Sequence, residues 1–432
     1  MKKVTMVSFL ILTLAFMVAG YSSAQTPGRS GEVIPGQFIV VLNDDVANPA
    51  DVAQELSARH GLALGHVYHV ALKGFSAHIP AQRLSAVQSD PRVSFVEPDG
   101  IAYAIDGQGS GKGGGGGKGQ QPPQETPTGI DRIDAERSEP ADIDVDIAII
   151  DTGVCKTHPD LNFYRGYTVR GAGTGGGNDD NGHGSHVAGT AAAVDNGIGV
   201  VGVAPGARIW SVKVLNKQGY GSWSGVIAGI DYVTLHADEI DVANMSLGGT
   251  GISDALRLAL QNSVAAGVFY AVAAGNDSED VYGYDGTFGT GDDHVPAAYP
   301  EVAAVSAMAD YDGKPSTDDT FASFSNFSES VVEGNPVTSP GAAIDLAAPG
   351  VNIKSTYLAN GYATGSGTSM ASPHVAGAAA LYISVNGKPT SAAGVAAVRQ
   401  ALIYAGASQS GPKGFTGDPD ANPEPLADAE RL

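Results

Sequence analysis

The sequence predicts an α/β protein, a mostly parallel sheet with helices on both faces, preceded by a small α+β module. Three observations carry this. Residues 107–119 read GQGSGKGGGGGKG, a run with almost nothing to bury, and divide the chain in two. Beyond that run, short apolar stretches alternate with stretches of helical length, the pattern of βαβ units. Before it, strand-like and helix-like segments alternate within a span near the lower size for independent folding.

In the first part, residues 36–42 (GQFIVVL) suit a strand, 51–60 a helix, 74–79 an alternating strand, 81–88 a second helix and 93–97 a strand. In the second part, residues 145–150, 208–214, 242–247, 268–274 and 302–308 are apolar runs of the buried-strand type. Helices fit 183–193, 223–236 and 254–266, the last behind the cap Ser253. In sheets of this kind ligands sit beyond the carboxyl ends of the strands. Polar segments at 277–294, 310–320 and 329–339 interrupt the pattern. The acidic, proline-containing stretch 417–432 reads as a loose tail.

The 432 residues, 43% of them hydrophobic, are enough for more than one domain with a sizeable core. Lys2 and Lys3 precede an apolar run over 4–19, and Ser22-Ser23-Ala24 offers a cleavage site before Gln25, so residues 1–24 read as an export signal. The run falls short of the ~20 residues of a spanning helix, which argues against a retained anchor. A secreted, extracellular protein follows. Its single cysteine, Cys155, excludes an intramolecular disulfide, so bound metal is one way left to resist unfolding. Cys155 itself reads as a small buried hydrophobe. The net charge of −22 falls entirely in residues 120–432, because residues 1–119 hold 9 basic and 9 acidic side chains. Such acidity argues against nucleic acid or an anionic membrane as partner.

Three segments hold the chemistry. Asp151 closes the strand Ile147-Ala148-Ile149-Ile150. Asn181-Gly182-His183-Gly184-Ser185-His186 opens a helix among small residues. Gly367-Thr368-Ser369-Met370-Ala371-Ser372-Pro373 puts a serine near a helix start. Alone, these are a turn residue, a histidine and an N-cap. Together, in the order Asp, His, Ser, they resemble the subtilisin family of serine proteases, and the resemblance covers residues 35–405.

The resemblance implies a triad of Asp151, His183 and Ser369, with His186 a structural histidine. The histidine takes the serine proton near neutral pH, and the aspartate holds its tautomer. Asn276, in Ala273-Ala274-Gly275-Asn276, supplies one oxyanion donor and the Ser369 N–H the other. Ser246, Leu247 and Gly248, with Ala273, Ala274 and Gly275, wall the pocket for the side chain before the scissile bond. Their size suggests broad specificity biased to large apolar side chains, whereas Asp277 favours basic ones. The segment 193–200 resembles the family's Ca2+ loop, with ligands from Gln124, Asp160, Val194, Asn196, Ile198 and Val200. The acidic insertion 277–293 reads as solvated. The first module resembles the family's ferredoxin-like propeptide, an intramolecular inhibitor spanning 25–105 and cut off after about Ile105, or anywhere from Ala104 into the glycine run. A linker over 106–123 and a catalytic domain over 124–416 follow. Protein and peptide substrates and a monomeric enzyme complete the expectation.

Two other readings compete. His183 and His186, beside Asp179 and Asp180, could hold zinc in a metal-dependent hydrolase, which a serine-directed sulfonyl fluoride would leave active. A catalytically dead binding protein on the same fold is opposed by the presence of all three triad residues and Asn276.

Overall fold

The computed structural model describes residues 31, 33–105, 121–137, 143–329 and 343–432. The expected export signal, the glycine run and most of the polar segment 329–339 lie outside the described residues.

The first module runs β1 (Val33–Leu42), α1 (Pro49–His60), β2 (Ala63–Tyr68), β3 (Gly74–His78), α2 (Ala81–Gln88) and β4 (Val93–Ala104). Its sheet is antiparallel in the order β4-β1-β3-β2, the ferredoxin-like arrangement expected. The first helix begins where Asn48 accepts the Ala50 N–H and Pro49 occupies the first turn, and it ends at Gly61 in the left-handed region. Val40, Leu56 and Phe75 are fully buried in a core of the module's own. Ile39, Val41, Tyr68 and Leu72 belong instead to the core of the main domain.

The main domain continues with α3 (Thr128–Arg132), β5 (Asp146–Asp151), β6 (Phe163–Thr168), α4 (His183–Ala192), β7 (Arg208–Lys213), β8 (Tyr220–Ser222), α5 (Trp223–Leu235), β9 (Val242–Met245) and β10 (Leu247–Thr250). There follow α6 (Asp254–Ala265), β11 (Phe269–Ala273), β12 (His294–Val295), β13 (Ala303–Ala309), β14 (Thr320–Phe321), β15 (Ile344–Pro349), β16 (Ile353–Tyr357), β17 (Gly361–Gly365), α7 (Thr368–Asn386) and α8 (Ala392–Ala405). The central sheet has the order β14-β13-β11-β9-β5-β7-β6, with β15 also on β13; only β14 is antiparallel. Its strands are buried apolar runs, as a sheet covered on both faces requires. Helices α4 and α7 pack together on the sheet, and α5 and α6 form a second pair.

The expected helices and central strands occur within a residue or two of their predicted ends. The run 242–247 is the exception: β9 stops at Met245 and β10 starts at Leu247, so the chain leaves the sheet at Ser246. Strand β6 escaped prediction because, at the sheet edge, FYRGYT has no apolar run.

The loose tail expected over 417–432 is corrected. Leu426 is 1% exposed, and its backbone bridges both Ala347 and Ala407. Glu424 is buried and accepts from the Ser306 hydroxyl. The Lys413 ammonium lies 2.6, 3.2 and 2.8 Å from carboxylate oxygens of Asp134, Asp428 and Glu430. Charge and proline content pointed to disorder, but Leu426, Ala427 and Ala429 find an apolar seat and the acids find partners.

Candidate active site

Strand β5 lies where the order of the sheet reverses, with β7 on one side and β9 on the other, and its last residue is Asp151. The Asp151 carboxylate faces His183, whose Nδ1 lies 2.8 Å from Oδ1 and 2.9 Å from Oδ2, and Oδ1 also accepts the Thr152 N–H at 2.5 Å. Both side chains are buried.

His183 opens α4, and the start of that helix is organised by Asp179. Its carboxylate accepts from Thr152 Oγ1, from the N–H groups of Asn181, Gly182 and Ser185, and from Ser185 Oγ, at 2.6–3.0 Å. Glycine is required at 184 because a Cβ there would come 2.1 Å from the Gly153 carbonyl oxygen and 3.1 Å from Asp151. Asp180 pairs instead with the buried Lys213, 2.7 Å away. Nε2 of His186 points to the Ile353 and Ala363 carbonyls, and burial, with His183 nearby, holds that imidazole down at about 4. The four residues of the zinc alternative therefore face four different sets of partners.

Ser369 is the second residue of α7. Its hydroxyl donates to the Ile105 carbonyl oxygen at 2.7 Å and lies 3.2 Å from the Ser246 carbonyl oxygen. The Asn276 amide is oriented by the start of α7, its Oδ1 accepting from Thr368 N and Thr368 Oγ1, both at 2.9 Å. That leaves Nδ2 directed at Ile105, 3.2 Å from the same carbonyl oxygen. The Ile105 carbonyl thus sits between a hydroxyl and an amide donor. Gly275, at φ 114°, allows this turn; a Cβ would meet Asn326 Nδ2 at 2.2 Å.

The end of β4 lies in the cleft as a third strand. It pairs antiparallel with β8 through Ile101–Tyr103 and with β10 through Tyr103 and Ala104. The Ile105 N–H then donates to the Ser246 carbonyl at 3.2 Å. This is the strand-addition mode of peptide recognition. A cavity of about 250 Å³ beside Ile105 is lined by Gly248, Ala273, Ala274, Gly275 and Asn276, and also by Asp277 and His294. Ser246 and Leu247 meet the end of β4 through their backbone, and the Leu247 side chain is wholly buried.

The loop 193–200 is held by Asp160 and Gln124. Asp160 Oδ2 accepts from the Val200 N–H at 3.0 Å and from the Tyr362 hydroxyl at 3.1 Å, and the Asp160 backbone oxygen accepts from Val194. Asp160 Oδ1 is buried without a hydrogen-bond partner, and burial raises this carboxyl. A buried anionic oxygen lacking a donor is what a hard cation would satisfy, so the residues fit one. Gln124 Oε1 accepts from the Asn196 and Gly197 N–H groups, and Asn196 Oδ1 from Ile198. The cluster of carboxylates with metal-ligand spacing among the described residues, Asp134, Asp428 and Glu430, lies elsewhere and already holds the Lys413 ammonium. Cys155 is buried, as expected.

Sequence reading missed the residues that orient the site rather than form it: Thr368, Asn244, Ser372 and the edge strand β8. Asp179 stands three residues before the N-cap Gly182, outside the capping position, so its place in the sequence did not mark this role. His294 carried no signal either.

The fold and site together are those of a serine endopeptidase. The description "Subtilase family" belongs to the family model that matches residues 142–417, and a "Peptidase inhibitor I9" model matches residues 37–104. The chain belongs to the subtilase family and has an I9 propeptide domain. It is 34% identical over 390 residues to Subtilisin E of Bacillus subtilis (strain 168), covering 89% of each chain. To Subtilisin DY of Bacillus licheniformis it is 40% identical over 264 residues, covering 60% of this chain and 85% of that one. A solved cold adapted subtilisin-like serine proteinase matches with a TM-score of 0.53 and 34% identity, over 71% of this chain and 98% of that chain.

Proposed function

We propose that this chain is a secreted endopeptidase, made as a precursor that cuts itself after Ile105 and stabilised by calcium. Residues 1–24 are then the export signal, 25–105 the inhibitory propeptide, 106–123 a linker and 124–416 the catalytic domain, extended by the docked segment 417–432. The observation that carries the reading is the Ile105 carbonyl oxygen, 2.7 Å from Ser369 Oγ and 3.2 Å from Asn276 Nδ2.

In this reading His183 takes the Ser369 proton as the oxygen attacks the carbonyl carbon, and Asp151 holds Nδ1–H and stabilises the imidazolium. The oxyanion receives Asn276 Nδ2 and the Ser369 N–H. His183 then protonates the departing amine, leaving an acyl-enzyme that water hydrolyses. After the cut, residues 101–105 remain paired between β8 and β10 and block the cleft, an intramolecular product inhibitor. Protein and peptide substrates follow the same strand path, with Ser246, Leu247 and Gly248 on one side and Ala273, Ala274 and Gly275 walling the pocket. Gln124, Asp160, Val194, Asn196, Ile198 and Val200 would hold Ca2+, which clamps the loop and has no part in the chemistry; Gln124 joins by sharing an oxygen already used by two N–H groups.

The test is maturation. Purified Ser369→Ala precursor should stay a single band, while the unmodified chain yields a fragment beginning at Asp106. Normal processing of the variant would refute self-cleavage.

A further inference from the structure

The cavity beside Ile105 has Asp277 and His294 in its lining as well as Ala273, Ala274, Val295 and Ala297. A Cβ on Gly248 would come within 3.1 Å of Ile105 Cδ1, so the side chain before the scissile bond enters over that glycine. About 250 Å³ stays open around it, bordered by Asp277 and His294. His294 opens β12, paired with Thr250 of β10, and its side chain is 7% exposed. Nε2 lies 3.2 Å from Glu279 Oε2 and Nδ1 lies 3.7 Å from Asp277 Oδ2. The other oxygen of Glu279 accepts from the Tyr284 hydroxyl. Two carboxylates thus flank one imidazole, and the group carries net negative charge whether or not the imidazole is protonated.

We propose that Asp277, Glu279 and His294 make this pocket select a long side chain ending in a cation, lysine or arginine, before the scissile bond. The proposal rests on the endopeptidase reading and names its substrate class. A cation leaving water needs both charge and acceptors, and Asp277, half exposed at the cavity with His294 beside it, supplies them. A long apolar side chain would desolvate carboxylates and imidazole against carbon, without compensation. An acidic one would meet like charge. Ile105 is no exception, since pairing of residues 101–104 with β8 and β10 seats it, rather than the fit of its side chain.

Peptides differing only in that residue, with Arg, Lys, Phe or Leu, test this on mature enzyme normalised by sulfonyl fluoride titration, which counts only folded active sites. Arg and Lys should exceed Phe in kcat/KM by about tenfold or more, and Asp277→Asn and His294→Asn should each cut that ratio several-fold, roughly the worth of a charge-assisted contact. On the unmodified enzyme, benzamidine should inhibit more strongly than benzamide. Faster cleavage after Phe or Leu, a ratio unchanged within about twofold in both variants, or equal inhibition by the two compounds would each overturn the proposal. No cleavage of any peptide, with no reaction with sulfonyl fluoride, would instead overturn the endopeptidase reading.

Discussion

The Ser246 hydroxyl donates to the Ser369 carbonyl oxygen at 3.0 Å, and it takes the place of a bond that Pro373 cannot make. Four residues into α7 from Ser369, Pro373 has no N–H, so the carbonyl of Ser369 lacks its usual helical partner. Ser246 is itself held by Asn244 Nδ2 at 2.9 Å, and Asn244 Oδ1 accepts from Ser372 at 2.7 Å. The chain leaves the sheet at Ser246 to make this contact. Ser246→Ala leaves a buried carbonyl unmatched and should cost about 1–3 kcal/mol. Denaturant unfolding of the inactive Ser369→Ala precursor, with and without the change, measures it.

Asn276 is pinned at its oxygen by Thr368, so its amide donor is set before substrate arrives. Asn276→Ala should lower kcat by about 10²–10³, the size of loss that the oxyanion asparagine of a subtilisin shows, with a smaller change in KM. Steady-state kinetics on a peptide amide checks it. Equal losses in kcat and affinity would make Asn276 a binding group instead.

The unpartnered Asp160 Oδ1 predicts a stability that depends on calcium. A chelator should lower the melting temperature of the mature enzyme by about 5 °C or more, as expected for an ion present at ~100 times its dissociation constant. Asp160→Asn should melt at the lower temperature with or without chelator. A chelator effect of equal size in that variant would move the ion elsewhere.

Glu97 joins the propeptide to the start of α6, accepting from Ser253 Oγ at 2.6 Å and from the N–H groups of Asp254 and Ala255 at 3.0 and 3.3 Å. Burial raises its carboxyl to about 7 from an ordinary 4.5. A pKa raised in the complex favours the protonated form there. Its contribution to inhibition is whole below about pH 4.5 and lost as pH rises through about 7. Asp99, raised likewise by burial, acts in the same sense, while His66, held down by burial and Arg170, acts only on the acid side. The inhibition constant of added propeptide should therefore weaken roughly tenfold or more between pH 5 and 8, and Glu97→Gln should flatten that limb.

Leu426 anchors the C-terminal segment between Ala347 and Ala407. Leu426→Ala should destabilise the mature enzyme by about 2–5 kcal/mol, the range for a buried leucine. Urea unfolding would show it; a loss below about 0.5 kcal/mol would mean that the segment is not held by this side chain.

Much of this was legible in the sequence because it is local. Strands β5, β7, β9, β11 and β13 announce themselves as apolar runs since both faces of a parallel sheet are buried, and Ser253 marks the start of α6 through its capping hydroxyl. Asp151, His183, Ser369 and Asn276 were found as motif residues set among glycines and alanines, where close packing permits nothing larger. The tertiary structure decided what depends on distant partners. The tail became ordered through Ala347 and Lys413, Ser246 became a substitute donor through Pro373, and His294 entered a specificity pocket through Glu279 and Asp277. A hydrogen bond or a charge acts over a few ångströms of space, and no spacing along the chain records which residues folding will bring that close.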